Sequence, residues 1–81
     1  MQVTIQVFSY LKELTRCAQT TETVAAGTTL GELHDQLRVK FPKLAPMKKS
    51  TLLAVGVEYQ PREYVLQDGD EVSLFPPVQG G

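Results

Sequence analysis

A single clear amphipathic helix among short strands sets the limits for this chain. From Thr29 to Phe41, Leu30, Leu33, Leu37 and Phe41 fall on one stripe. Thr29 and Glu32 have capping-box spacing, in which the Thr hydroxyl accepts from the Glu32 amide while the Glu side chain reaches back. Pro42 ends the pattern, because a proline disfavours helical geometry in the residue before it. A helix with one apolar stripe must bury it, and here the available partners are strands.

Gln2 to Phe8 alternates, with Val3, Ile5 and Val7 on one face and Gln2, Thr4 and Gln6 on the other, as in a half-buried strand. Ser9 is placed to cap a short helix running to about Ala18, with Leu11, Leu14 and Ala18 on one side. Thr20 to Ala25 is rich in threonine and valine and predicts a second strand, with a turn at Gly27. Leu44 to Ser50 is expected to be a loop or short turn. Leu52 to Val57 is apolar throughout and predicts a central strand. Glu58 to Val65 is irregular around Pro61, with a short strand at either end. Asp68-Gly69-Asp70 predicts a turn, since Gly supplies positive φ and Asp bonds nearby backbone. Glu71 to Phe75 predicts the last strand, with Val72 and Leu74 inward. Pro76-Pro77 stops the ladder. The order predicts an α+β fold, with the main helix on one face of a mixed sheet.

At 81 residues the chain forms one domain. A chain of this size buries roughly 60 to 65% of its unfolded surface, which leaves no room for a deep private active site. Net charge is −1, so the basic excess that accompanies nucleic-acid binding is missing. Lys40, Lys43, Lys48 and Lys49 read as a solvated face. The N-terminus lacks the basic and apolar regions of a signal peptide, and the longest apolar run, Leu52 to Val57, is too short to span a bilayer. One cysteine excludes an intrachain disulfide, and a reducing cytoplasm is the expected compartment.

Residues 1–75 are expected to form the folded domain, and Pro76, Pro77, Val78, Gln79, Gly80 and Gly81 a flexible tail. The tail spans roughly 20 Å when extended. Its two prolines limit the unbound conformations, and its two glycines keep the end thin. A Gly-Gly end is either unstructured residue of no consequence or a carboxylate presented to a narrow pocket on another protein.

The stretch Leu66-Gln67-Asp68-Gly69-Asp70-Glu71-Val72-Ser73-Leu74-Phe75-Pro76-Pro77-Val78-Gln79-Gly80-Gly81 favours the second alternative. With the opening strand ending in Phe8, the Leu11-Lys12-Glu13-Leu14 after it, and Lys40-Phe41-Pro42, it resembles the small subunits of molybdopterin synthase, ubiquitin-like sulfur carriers. The resemblance covers essentially the whole chain. It implies a β-grasp fold. It also implies that Gly81 is adenylated by an ATP-using enzyme related to ubiquitin-activating enzymes, then converted to a thiocarboxylate with sulfur from a further enzyme. The tail would then enter a pocket of the large synthase subunit, in a heterotetramer of two small and two large subunits, and donate sulfur to a cyclic pyranopterin for the molybdenum-binding dithiolene. One departure is Gly56, where the family usually has asparagine; both tolerate positive φ.

The residues agree with a carrier rather than a catalyst. A terminal carboxylate is ionised at neutral pH and needs activation, yet the chain has neither a Walker-type loop nor a Gly-x-Gly-x-x-Gly motif. No catalytic residue, metal ligand or directly bound cofactor is expected here; ATP belongs to the activating partner. Phe8 and Phe75 both fall out of step with the core parity of their strands. If those strands are parallel neighbours, as the resemblance implies, both rings lie on one face beside the tail. There they form a docking surface, joined by Tyr59, or each caps an edge of the core. Cys17 sits near the C-terminal end of the predicted short helix, where the dipole disfavours a thiolate, and His34 beside the apolar stripe reads as structural. Asp68, Asp70 and Glu71 read as turn chemistry. Rival functions are a carrier for thiamine or cysteine synthesis, a ubiquitin-like protein modifier, and an interaction module with a chemically idle tail. Thiamine-type carriers are generally shorter and usually lack Phe-Pro-Pro-Val before the diglycine.

Overall fold

The computed structural model describes residues 1–76, without the side chains of 47–50. Within it a five-stranded sheet carries one long helix on one face. The strands are β1 (Gln2–Val7), β2 (Gln19–Thr23), β3 (Leu52–Val55), β4 (Glu58–Tyr59) and β5 (Glu71–Phe75), and the helices are α1 (Leu11–Thr15) and α2 (Leu30–Lys40). Sheet order is β2-β1-β5-β3-β4. Among the described residues, only β1 and β5 pair in parallel, with Ile5 opposite Val72 and Val7 opposite Leu74. This is the α+β arrangement that the element order predicts and the β-grasp fold that the resemblance implies.

Alternation decides the two faces. Val3, Ile5, Val7, Leu53, Val72 and Leu74 point inward and pack with Leu30, Leu33 and Leu37 of α2 in one core. The α2 start is capped as expected: Thr29 Oγ1 accepts from the Glu32 amide at 3.2 Å, and Glu32 Oε1 accepts from the Thr29 amide at 2.9 Å. At the other end, Lys40 reaches Glu22 of β2 at 2.5 Å.

The Asp-Gly-Asp turn places β5 beside β1. Gly69 has φ +86°, its amide donates to Gln2 O, and Asp68 Oδ1 accepts from the Gln2 amide at 2.9 Å. Asp70 Oδ2 accepts from the Gln67 amide and from the Tyr64 hydroxyl, and that second bond is the main reason the Tyr64 hydroxyl titrates above its ordinary range.

Several boundaries differ from the sequence reading. Ser9 does not cap α1. It sits at φ +58°, Tyr10 holds the N-cap position without a side-chain bond, and Ser9 contributes only its carbonyl, to Lys12 N. The short helix stops at Thr15 because Arg16 turns left-handed. Leu44–Ser50 is not a loop: it belongs to a 3₁₀ helix, Pro42–Ser50, opened by a Leu44 N to Phe41 O bond and anchored by buried Leu44. β3 is interior, but the central strand is β5. β3 also ends at Val55, because Gly56 at φ +61° turns the hairpin and leaves Val57 fully exposed at its tip. A positive φ at the first of two turn residues suits Gly, so this departure from asparagine is accommodated. The 58–65 segment carries a short strand only at its start, β4; at its other end Val65 makes a single isolated bridge to Thr29 rather than a strand. Among the described residues, no helix is long and apolar enough to cross a membrane.

Candidate functional site

The outer face of the sheet is polar at one end and aromatic at the other. Register places Gln2, Thr4, Gln6, Thr21, Thr23 and Glu71 outward, away from α2. One step past the last β1–β5 pair, the Phe8 amide donates to Leu74 O at 3.1 Å, which carries the parallel ladder on and sets Phe8 beside Phe75. The two rings stack with centroids 4.6 Å apart and planes 10° from parallel. Tyr59 meets Phe75 edge-on at 6.3 Å. The edge-to-face and offset-stacked geometries are the favourable ones for aromatic quadrupoles.

The parity of Phe8 and Phe75 therefore brings together the rings that sequence reasoning grouped, and Tyr59 joins them. Phe8 is 40% exposed and Tyr59 65%, whereas Phe75 is half-buried between them. Leu52, opposite Phe75 and half-buried, extends the apolar surface, and Ala54, opposite Ser73 and Tyr59, lies buried beside it. Sequence reasoning missed these two. The signal was present: a strand apolar on both faces puts apolar side chains on the outer one as well.

Pro76 directly succeeds this aromatic row and is half-buried. The positions Pro77, Val78, Gln79, Gly80 and Gly81 lie outside the described residues.

Past β4, a cleft of about 290 Å³ opens between Leu52 and Leu53 on one side and Tyr59, Pro61 and Arg62 on the other. Arg62 is fastened to α2. Its Nη2 donates to Gly31 O at 3.2 Å and to both Asp35 carboxylate oxygens at 3.1 Å. Arg38 also donates to Asp35. Desolvation pushes the Asp35 carboxyl upward, but the hydrogen bonds and charges of Arg62 and Arg38 together outweigh it and hold the group below its ordinary value. This clasp was another omission. Its one sequence signal is Gly31, a glycine inside a helical pattern.

The remaining candidates are Cys17 and His34. Cys17 lies two residues beyond α1, with its amide bonded to Thr15 Oγ1. His34 is buried in α2, 2% exposed. On the described surface, Phe8, Phe75 and Tyr59 form one partly exposed aromatic face.

Comparison with known proteins gives the same direction. The ThiS family profile matches residues 5–81, through the diglycine. The molybdopterin synthase sulfur carrier subunit of Arabidopsis thaliana is 30% identical over 81 residues, covering 100% of this chain and 84% of that protein. Small archaeal modifier protein 1 of Haloferax volcanii superposes with a TM-score of 0.87 at 22% identity, covering 95% of this chain and 98% of its own. A complex of subunits 1 and 2 of the molybdopterin-converting factor from Helicobacter pylori contains a chain that covers this one completely, and is covered completely, at a TM-score of 0.73 and 26% identity. The chain belongs to the ThiS family, and within it to the sulfur carrier subunits of molybdopterin synthase.

Proposed function

We propose that this chain carries sulfur on Gly81 to a large synthase subunit. The observation that carries this reading is the family match through residue 81, which takes in the diglycine as well as the fold. In this account, an ATP-using adenylyltransferase joins AMP to the Gly81 carboxylate. A sulfur-donating enzyme then supplies the sulfur that displaces AMP at the acyl carbon, leaving a thiocarboxylate. The tail next enters a pocket of the large subunit and gives its sulfur to a cyclic pyranopterin, and the spent carboxylate is recharged. Nucleotide chemistry belongs to the partner, and the compartment is the cytoplasm.

Each part of this chain has a physical task. The sheet presents Phe8, Phe75 and Tyr59 at the root of the tail. Docking there removes apolar area from water next to the threading chain. Pro76-Pro77 restricts the unbound tail, so less entropy is lost when it enters a pocket. Gly80-Gly81 has no Cβ, so a narrow channel closes around the backbone. The two-subunit Helicobacter pylori complex supports a large-subunit partner for this chain.

A protein-modifier reading draws on likeness to the archaeal modifier, which at 22% identity is a likeness of fold alone. Reconstitution tests the proposal: thiocarboxylated chain, large subunit and cyclic pterin precursor together should yield the dithiolene product. No product from a correctly charged chain would overturn it.

A further inference from the structure

The Tyr59 ring stands on an edge strand too short to hold it. β4 has only two residues, paired with Val55 and Ala54, and its continuation is a Gln60 N to Leu53 O bond at 3.3 Å. The 61–64 segment, next in the chain, is fastened far more firmly. The first amides of α2 have no helical acceptor, and this segment supplies two: Leu30 N donates to Tyr64 O at 2.7 Å and Gly31 N to Arg62 O at 2.9 Å. The Arg62 side chain then lies against the bare Cα of Gly31. A Cβ there would meet Arg62 Cβ, Nε and Cζ at 2.9 Å. One nitrogen, Nη2, reaches Gly31 O and both oxygens of Asp35. Between this anchor and Tyr59 lie only Gln60 and Pro61, and Pro61 has a fixed φ.

We propose that Arg62, clasped to Gly31 and Asp35 on α2, is a positioning residue that holds Tyr59 edge-on to Phe75 and so completes the face that docks the large subunit. The proposal rests on the docking reading above. The described hydrogen bonds of the Arg62 side chain all run to α2 and none to the three rings of the face, so it acts through the backbone of 60 and 61. Its side chain is 41% exposed and that of Asp35 47%. Ion pairs this open contribute little to global stability, which leaves the geometry of the segment as the main quantity the clasp controls.

A double-mutant cycle tests this, with affinity for the purified large subunit of molybdopterin synthase read by titration calorimetry. Arg62→Ala should weaken binding about fivefold and Tyr59→Ala about tenfold, and the double variant should bind no worse than Tyr59→Ala, because residues acting through one another are non-additive. Arg62→Lys should restore most of the affinity, since a single ammonium nitrogen with three donors can replace Nη2. In the free protein, Arg62→Ala should also abolish the ring-proton contact between Tyr59 and Phe75 in NMR spectra. If Arg62→Ala folds poorly, Asp35→Asn takes its place in the same cycle. Wild-type affinity in Arg62→Ala, or in Asp35→Asn where it takes its place, or losses that add in the double variant, overturns the proposal. Phe75→Ala separates the two readings. If it binds normally, the docking face itself is wrong and Arg62 falls with it. If it binds weakly while Arg62→Ala binds normally, only the Arg62 proposal fails.

Discussion

Two adjacent residues of β5 should respond oppositely to truncation. Leu74 points inward and is 1% exposed, whereas Phe75 points outward and is half-buried by Phe8 and Tyr59. Leu74→Ala should cost about 2–5 kcal/mol of stability, the usual range for a buried leucine. A fully buried Phe costs about 3–5 kcal/mol on truncation, so a half-buried one costs about 2 kcal/mol, part of it the stacking on Phe8, worth about 0.5–1.5 kcal/mol. For a domain of this size that lowers Tm by about 8–16 °C and leaves the protein folded at 25 °C. In binding the order reverses. Phe75→Ala should lose at least about 2 kcal/mol, roughly thirtyfold in affinity, as truncation of an interface anchor does. Folded Leu74→Ala should bind within a few-fold of wild type. Denaturant melts of each variant, with calorimetric titration against the large subunit and against the activating enzyme, measure both quantities. If Phe75→Ala collapses as Leu74→Ala does and its folded fraction binds normally, Phe75 is a core residue and docking occurs elsewhere.

Deleting Gly81 should abolish sulfur transfer while leaving the melt unchanged; a truncated chain that still makes dithiolene in reconstitution refutes the assignment of Gly81. Cys17→Ser should keep full sulfur-donor activity, and its loss in a well-folded variant would move the carrier site to the thiol. Gly31→Ala should destabilise by about 1 kcal/mol in a denaturant melt. The usual helix gain of about 0.5–1 kcal/mol is outweighed by crowding against Arg62, for which overpacking costs about 1–3 kcal/mol. A stabilised variant would show that Arg62 yields freely.

The parts of this fold that were legible in the sequence are those governed by local rules. The capping box at Thr29 and Glu32 needs only spacing and two side chains, and it forms as expected. Strand alternation assigned the inward residues of β1 and β5, and the same parity put Phe8 and Phe75 on one side. Features set by distant partners were not legible. Whether Ser9 caps α1 depends on where β1 lets go, and the chain turns left-handed there instead. The Pro42–Ser50 helix depends on Leu44 finding the core beside α1 and α2. The Arg62 clasp joins residues 27 positions apart through an exposed charge, and no periodicity encodes it. Leu52 was hidden for another reason: an all-apolar strand gives no alternation to separate its faces.

The central claim is that Gly81 carries sulfur. Intact-mass spectrometry of the chain, isolated from cells containing its activating enzyme and sulfur donor, tests it most directly. The account predicts a species heavier by the exchange of one oxygen for one sulfur, with fragment ions placing the change on Gly81 and its loss on incubation with large subunit and pterin precursor. A chain that stays unmodified, or that appears joined through Gly81 to lysines of other proteins, contradicts it.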